Sequence, residues 1–157
     1  MTEVFALPVV SIIATHSEHQ DKILLQRRIK KTPQKRFYGL WELPQGKIRS
    51  GESIFSAARR ELHEETGLQA LALAPQHRCT TTDNSDNLEV FHPLNCVFDL
   101  SCQCIGLAVI VTTAGTPADS SEAADHRWLT QQQITELIAK EQIFPLNIPM
   151  IKQYFNQ

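Results

Sequence analysis

The chain has 157 residues, 20% of them charged, with a formal net charge of −2. That length suits one domain able to bury a core, and the balance of charge gives no general attraction to nucleic acid or anionic membrane. The longest apolar run, Leu107 to Val111, falls far below the ~20 residues a spanning helix needs, and the N-terminus lacks a basic start followed by an apolar run. A cytoplasmic protein without a membrane partner is expected. The four cysteines, Cys79, Cys96, Cys102 and Cys104, contain no C-x-x-C pair, so reduced thiols are expected rather than a zinc site.

In chain order, Leu7 to His16 (LPVVSIIATH) reads as a buried first strand, and Lys22 to Arg28 (KILLQRR) as a returning one. Period-two alternation puts Leu24, Gln26 and Arg28 on one face of the second strand and Ile23, Leu25 and Arg27 on the other. Residues 29–39 (IKKTPQKRFYG) form a basic connector, read as a solvated loop or as a flap over an anionic substrate. Trp41 to Gln45 is a short strand-like piece.

The segment Gly46 to Leu68 (GKIRSGESIFSAARRELHEETGL) carries the chemistry. A helix is expected from the N-cap Ser53 to Gly67, which can take the left-handed conformation that ends helices. Ile54, Ala58 and Leu62 supply its apolar stripe, while Glu61, Glu64 and Glu65 fall within roughly one third of its circumference. Glu61 and Glu65 lie beside the stripe, so at least two carboxylates should face the protein. Arg59 and His63 take the solvent side. Crowded, half-buried carboxylates need a positive partner, and a hard divalent ion with oxygen ligands, Mg2+ or Mn2+, suits them. A solvated acidic face is the plainer alternative. Gly46 and Gly51 flank the loop that enters the helix, and such loops let backbone groups approach a metal or phosphate.

Beyond the helix, Gln69 to Leu73 reads as a strand, His77 to Asn87 as a polar loop, and Leu88 to Leu100 and Ile105 to Thr113 as two long strands separated by a turn. A small polar loop, residues 114–125, leads into a short strand at His126 to Leu129. Thr130 caps a helix over Gln131 to Lys140, with Ile134, Leu137 and Ile138 as its stripe, and a last helix runs from about Ile148 to Phe155.

The order Gly46, five residues, Glu52, seven residues, Arg60-Glu61-Leu62, one residue, Glu64-Glu65, one residue, Gly67-Leu68 resembles a complete Nudix box, with every fixed position filled. The resemblance implies one Nudix hydrolase domain over 1–157 (box 46–68): an α/β fold, the α/β/α sandwich with a mixed central β-sheet. It also implies Mg2+-dependent hydrolysis (Mn2+ possible) of a nucleoside diphosphate linked to another moiety, such as a nucleoside triphosphate or an ADP-ribose-like compound. Carried over by position, Glu61, Glu64 and Glu65 would bind metal together with the carbonyl of Gly46, and Arg60 would pair with Glu52. An arginine ending the second strand would hold substrate phosphate, Arg28 ahead of Arg27, with Phe37 and Trp41 as aromatic contacts; Phe37 or Trp128 could stack on a base. Glu122, with Asp119 and Asp125 as alternatives, would be the loop acid, and the general base is Glu61, Glu64 or such a loop acid. Gln45 stands where triphosphate-cleaving members often have glycine. The partner expected is a small nucleotide, bound by a monomer or homodimer. A catalytically silent nucleotide-binding module and an RNA-end pyrophosphohydrolase are the alternatives.

Overall fold

The structure, a computed structural model, describes residues 2–30, 35–78, 80–82 and 85–157, with backbone alone at 80–82 and 85–87. In chain order its elements are β1 (Leu7–His16), β2 (Lys22–Arg28), β3 (Trp41–Glu42), β4 (Gln45–Lys47), α1 (Ile54–Thr66), β5 (Gln69–Leu73), β6 (Thr80–Thr82), β7 (Ser85–Val90), β8 (Cys96–Asp99), β9 (Cys104–Ala114), β10 (Ala123–Thr130), α2 (Gln131–Ala139) and α3 (Asn147–Phe155).

The Val/Ile-rich β1 is the sheet's central strand. It runs parallel to β9 from Leu7 opposite Cys104 to His16 opposite Thr113, and its other edge pairs antiparallel with β4, Val10 opposite Gly46. The far edge of β9 is shared by β8 at its start and β5 at its end, both antiparallel. A second sheet has β2 between β3 and β10. Strands this rich in β-branched residues, in sheets covered on both faces, read as continuous apolar runs.

Helices cover both sides. Ile54, Ala57, Ala58 and Leu62 of α1 pack with Val10, Ile12, Leu24 and Val109. On the opposite side Ile134 of α2 and Met150 and Ile151 of α3 pack with Ile13, Leu25 and Ile110. The result is the expected mixed α/β sandwich, with alternate residues of β1, β2 and β9 feeding two separate cores.

Four boundaries differ from the expectations. The piece from Trp41 to Gln45 is two strands in two sheets: Pro44, which has no N–H, lies between them, and its carbonyl accepts from Ile12 N at 2.8 Å. The expected strand Leu88 to Leu100 breaks where Pro93 cannot donate to a ladder; Leu94 N bonds instead to Ala108 O at 2.8 Å. The expected loop from His77 to Asn87 contains β6 and the first half of β7, which pair as a hairpin, although Cys79, Asp83 and Asn84 lie outside the described residues. His77 itself is fully buried, donating from Nδ1 to His92 O at 2.7 Å and accepting Ile110 N at Nε2 at 2.8 Å. The strand expected at His126 to Leu129 runs from Ala123 to Thr130 and carries an irregularity between Ala124 and Arg127, where Asp125 has φ 55°. Within the basic connector, Lys35 to Phe37 makes one 3-10 turn, and residues 31–34 of the expected flap lie outside the described residues. Cys96, Cys102 and Cys104 form no disulfide, and no described helix is long and apolar enough to cross a membrane.

Candidate active site

Helix α1 begins and ends as its residues dictate. Ser53 Oγ accepts from Ser56 N at 3.1 Å, and Gly67, at φ 73°, donates its N–H to His63 O. These caps set the helix phase, which presses Glu61 and Glu65, only 8% and 5% exposed, against the junction of the two sheets and leaves Glu64 at the exposed rim. Gly46 of β4 lies directly beneath. A Cβ there would stand 2.0 Å from Glu61 Cδ, so no other residue allows the carboxylate to rest on this backbone. A cleft of roughly 600 Å³ opens over this spot; Glu42, Gly46, Glu61, Glu64, Glu65 and Glu122 form its acidic part.

A buried polar network holds the deepest carboxylate. Glu65 Oε2 accepts from Gln26 Nε2 at 2.6 Å and from Gln45 N at 3.1 Å. The Gln45 side-chain oxygen accepts from Ser11 Oγ at 3.0 Å and from Asn147 Nδ2 at 2.8 Å, and Asn147 Oδ1 accepts from Leu43 N at 3.0 Å. Beside it, Glu42 accepts from Arg28 at 2.9 Å and from Gln45 Nε2 at 3.4 Å. Both donors to Glu65 converge on one oxygen, so its orientation is fixed while the second oxygen keeps its lone pairs.

At the outer end, Arg60 reaches Glu52 through two bonds of 2.6 and 2.9 Å, Lys47 O at 3.0 Å and Glu61 at 2.5 Å. Glu52 also accepts from Arg49 N at 2.9 Å. This fork ties the helix to loop 47–52, the pairing expected for Arg60 and Glu52. The guanidinium holds Glu52 down to about 2. Inside the cleft the shifts are opposite. Burial, reinforced by Glu42, pushes Glu65 up to about 8. Burial also raises Glu42 and Glu61, Glu61 against the pull of Arg60. Two arginines leave this group of carboxylates short of positive charge.

The oxygen-only donor set, the glycine that clears space for Glu61 and the unpartnered Gln26 Oε1, buried beside Glu65, all suit a hard divalent cation.

The expected residues divide between two faces. Arg28 and Phe37 line the cleft. Glu122 reaches it from the loop before β10, its carboxylate 3.0 Å from Lys30 Nζ and its carbonyl accepting from Ile29 N at 3.1 Å. Arg27 and Trp41 do not reach it. Alternation sends Arg27 through the sheet, where it lies 4.7 Å over the Trp41 ring and 3.2 Å from Asp125; Trp41 is 3% exposed and belongs to the core. These two line a separate groove with Arg127 and Gln142. Asp125 is occupied by Arg27 and Arg127, and Asp119 lies beside His126. Trp128 packs on His16 and His19, away from the acidic cleft. Gln26, Glu42 and Asn147 were not among the expected residues. A usable signal existed for Gln26, which alternation puts on the face of Arg28; Asn147 is 102 positions from its partner Gln45, and nothing local marks it.

A profile of the NUDIX domain matches residues 6–153. Among similar proteins, the RNA pyrophosphohydrolase of Bartonella clarridgeiae is 62% identical over 34 residues, 22% of this chain and 20% of that protein. The CTP pyrophosphohydrolase of Escherichia coli K12 is 38% identical over 64 residues, 41% of this chain and 45% of that one. These alignments span less than half of either relative. A MutT protein from Methanosarcina mazei shares the fold, with a TM-score of 0.69, 16% identity and coverage of 99% of this chain and 97% of that one. With the profile spanning nearly its whole length and Gly46, Glu61, Glu64 and Glu65 of the box lining one cleft, the chain belongs to the Nudix family.

Proposed function

We propose that this chain is a single-domain cytoplasmic hydrolase, dependent on Mg2+ or Mn2+, that cleaves the diphosphate linkage of a nucleoside diphosphate derivative, a free nucleotide such as a nucleoside triphosphate or an ADP-ribose-like compound. The observation that carries this reading is the pair of buried carboxylates under an open cleft, Glu61 resting on Gly46 and Glu65 accepting from Gln45 N. Glu61, Glu64, Glu65 and the Gly46 carbonyl would hold the cation. When bound, it supplies neutralisation of the diphosphate charge and makes water a better nucleophile.

The chain's own groups do the rest. Arg28 and Lys30, with Lys47 and Arg49 on the opposite rim, line the cleft and orient the phosphates by charge-assisted hydrogen bonds. Phe37, Phe144 and Leu146 offer an apolar wall for the non-phosphate moiety. A carboxylate takes the proton of the attacking water as its oxygen bonds to phosphorus and the bridging P–O bond breaks. Glu122, 41% exposed at the side chain, is preferred for this role over Glu61 and Glu64, which are committed to Arg60 and to the cation.

A second reading is supported by the Bartonella relative: the diphosphate could be carried on the 5′ end of an RNA, with the same rim cations meeting the first nucleotides. One assay separates these. The protein, as monomer or homodimer, is incubated with Mg2+ and a panel of nucleoside triphosphates, ADP-ribose, nucleotide sugars and a 5′-triphosphorylated RNA, beside Glu65→Gln. Cleavage of free nucleotides by wild type alone supports the main reading, and cleavage of RNA alone supports the second. Binding without cleavage of any of them would make the chain a silent nucleotide-binding module.

A further inference from the structure

The turn between β1 and β2 gathers a donor set of a different chemistry. His16, the last residue of β1, and Glu18 and His19 of the turn place one ligand atom each within 4.8 Å of one another. His16 lies six positions along β1 from Val10, which pairs with Gly46, so the cluster stands about 20 Å along the strand from that glycine, and none of its three residues lines the carboxylate cleft.

The two rings are held before any ion arrives. His19 stacks on Trp128 of β10 at 4.8 Å and 16°, and His16 meets the same indole edge-on at 5.6 Å; the imidazole centres are 5.3 Å apart. Backbone bonds close the turn, His19 N to His16 O at 3.0 Å and Lys22 N to His19 O at 3.2 Å. His16 Nδ1 accepts from Glu18 N at 3.1 Å, so that nitrogen already presents a lone pair, the form a metal ligand requires. Ligation at Nδ1 displaces only this exposed hydrogen bond, whose net strength is small. Two ligands each about 2.1 Å from one ion stand at most about 4.2 Å apart, a closure of a few tenths of an ångström that the exposed Glu18 side chain meets by rotating and the two imidazoles by small tilts.

We propose that His16, Glu18 and His19 bind a borderline divalent cation such as Zn2+ or Ni2+, independently of the oxygen-ligand site in the cleft. Two imidazoles and one carboxylate favour these ions over Mg2+, which takes oxygen donors and holds its water. The remaining coordination positions face solvent. The occupied site clips the end of β1 to the turn and leaves the hydrolytic cleft untouched.

The test is equilibrium dialysis of the full chain against Ni2+ and, separately, Zn2+, in millimolar Mg2+ to keep the cleft carboxylates filled, with bound metal counted by elemental analysis. Wild type is expected to bind one equivalent more than the His16→Ala/His19→Ala double variant, and His19→Ala alone to weaken that equivalent at least tenfold. Circular dichroism and hydrolysis should be unchanged in both variants, because neither residue lies in the cleft. Equal metal binding by wild type and the double variant would overturn the proposal, as would loss of the extra equivalent on raising Mg2+.

Discussion

Glu52 and Glu65 belong to the same box, thirteen positions apart, yet their surroundings drive them in opposite directions. Glu52 sits in the two-bond grip of Arg60 and is held down to about 2. Glu65 is buried between two sheets with Glu42 beside it and is pushed up to about 8. The first has its counter-charge built into the chain and serves to hold the loop on the helix. The second is left short of positive charge, which is what a cation site requires before its cation arrives.

The largest effect should come from acting on the second member of that pair. Glu65→Gln is expected to lower kcat by more than the about 100-fold that loss of an outer partner costs. Its melting temperature in EDTA near neutral pH should equal or exceed that of wild type, since the cost of holding a buried carboxyl protonated while the unfolded chain ionises has gone. A sharp fall in that metal-free melting temperature would mean that Glu65 is structural. Next in size, Arg28→Ala should raise KM about tenfold or more, whereas Arg27→Ala, on the far face, should leave kcat/KM within about twofold; equal effects would remove the distinction between the two faces.

Asn147→Leu leaves Leu43 N without its partner and removes one of the two donors to the Gln45 side-chain oxygen, at a cost of about 1–3 kcal/mol. Through Gln45 it should also raise the Mg2+ concentration for half-maximal activity about tenfold, and an unchanged Mg2+ requirement would show that the network acts on stability alone. Arg60→Ala releases Glu52 from its partner and should lower both the melting temperature and the activity, and Glu52→Gln should reproduce the stability loss.

The smallest and most diagnostic effect is on pH. A carboxyl raised above its ordinary value resists ionisation in the fold, so Glu65 disfavours the folded state once the unfolded chain begins to ionise. Stability of the protein in EDTA should therefore decline as pH rises from about 4.5 to about 8 and level off beyond. Glu52 has the opposite sign: its contribution is full above about 4.5 and disappears as pH falls toward 2. Added Mg2+ should flatten the upper decline and leave the acid limb in place. Thermal melts across pH, with and without Mg2+, check both limbs.

Much of this site could be read along the chain because its causes are local. Helical periodicity places Glu61 and Glu65 on the inner side of α1, Ser53 and Gly67 bound the helix, and strand alternation parts Arg28 from Arg27. The errors arose where partners are distant or where one proline interrupts an otherwise strand-like run, as at Pro44 and Pro93. Trp41 was expected as an aromatic substrate contact because no local feature shows that Arg27 and Arg127 cover its ring.

By itself, then, the sequence determined which carboxylates share a helix face, how that helix starts and stops, and the family that spacing resembles, since each depends on residues a few positions apart. Only the tertiary structure decided how those carboxylates behave. The depth that desolvates Glu65, the placement of Glu42 beside it and the reach of Asn147 across 102 positions to Gln45 come from packing α1 and α3 on opposite sides of the sheets, with β3 and β4 between them. Desolvation and charge–charge interaction depend on distance through space, and distance along the chain does not report it.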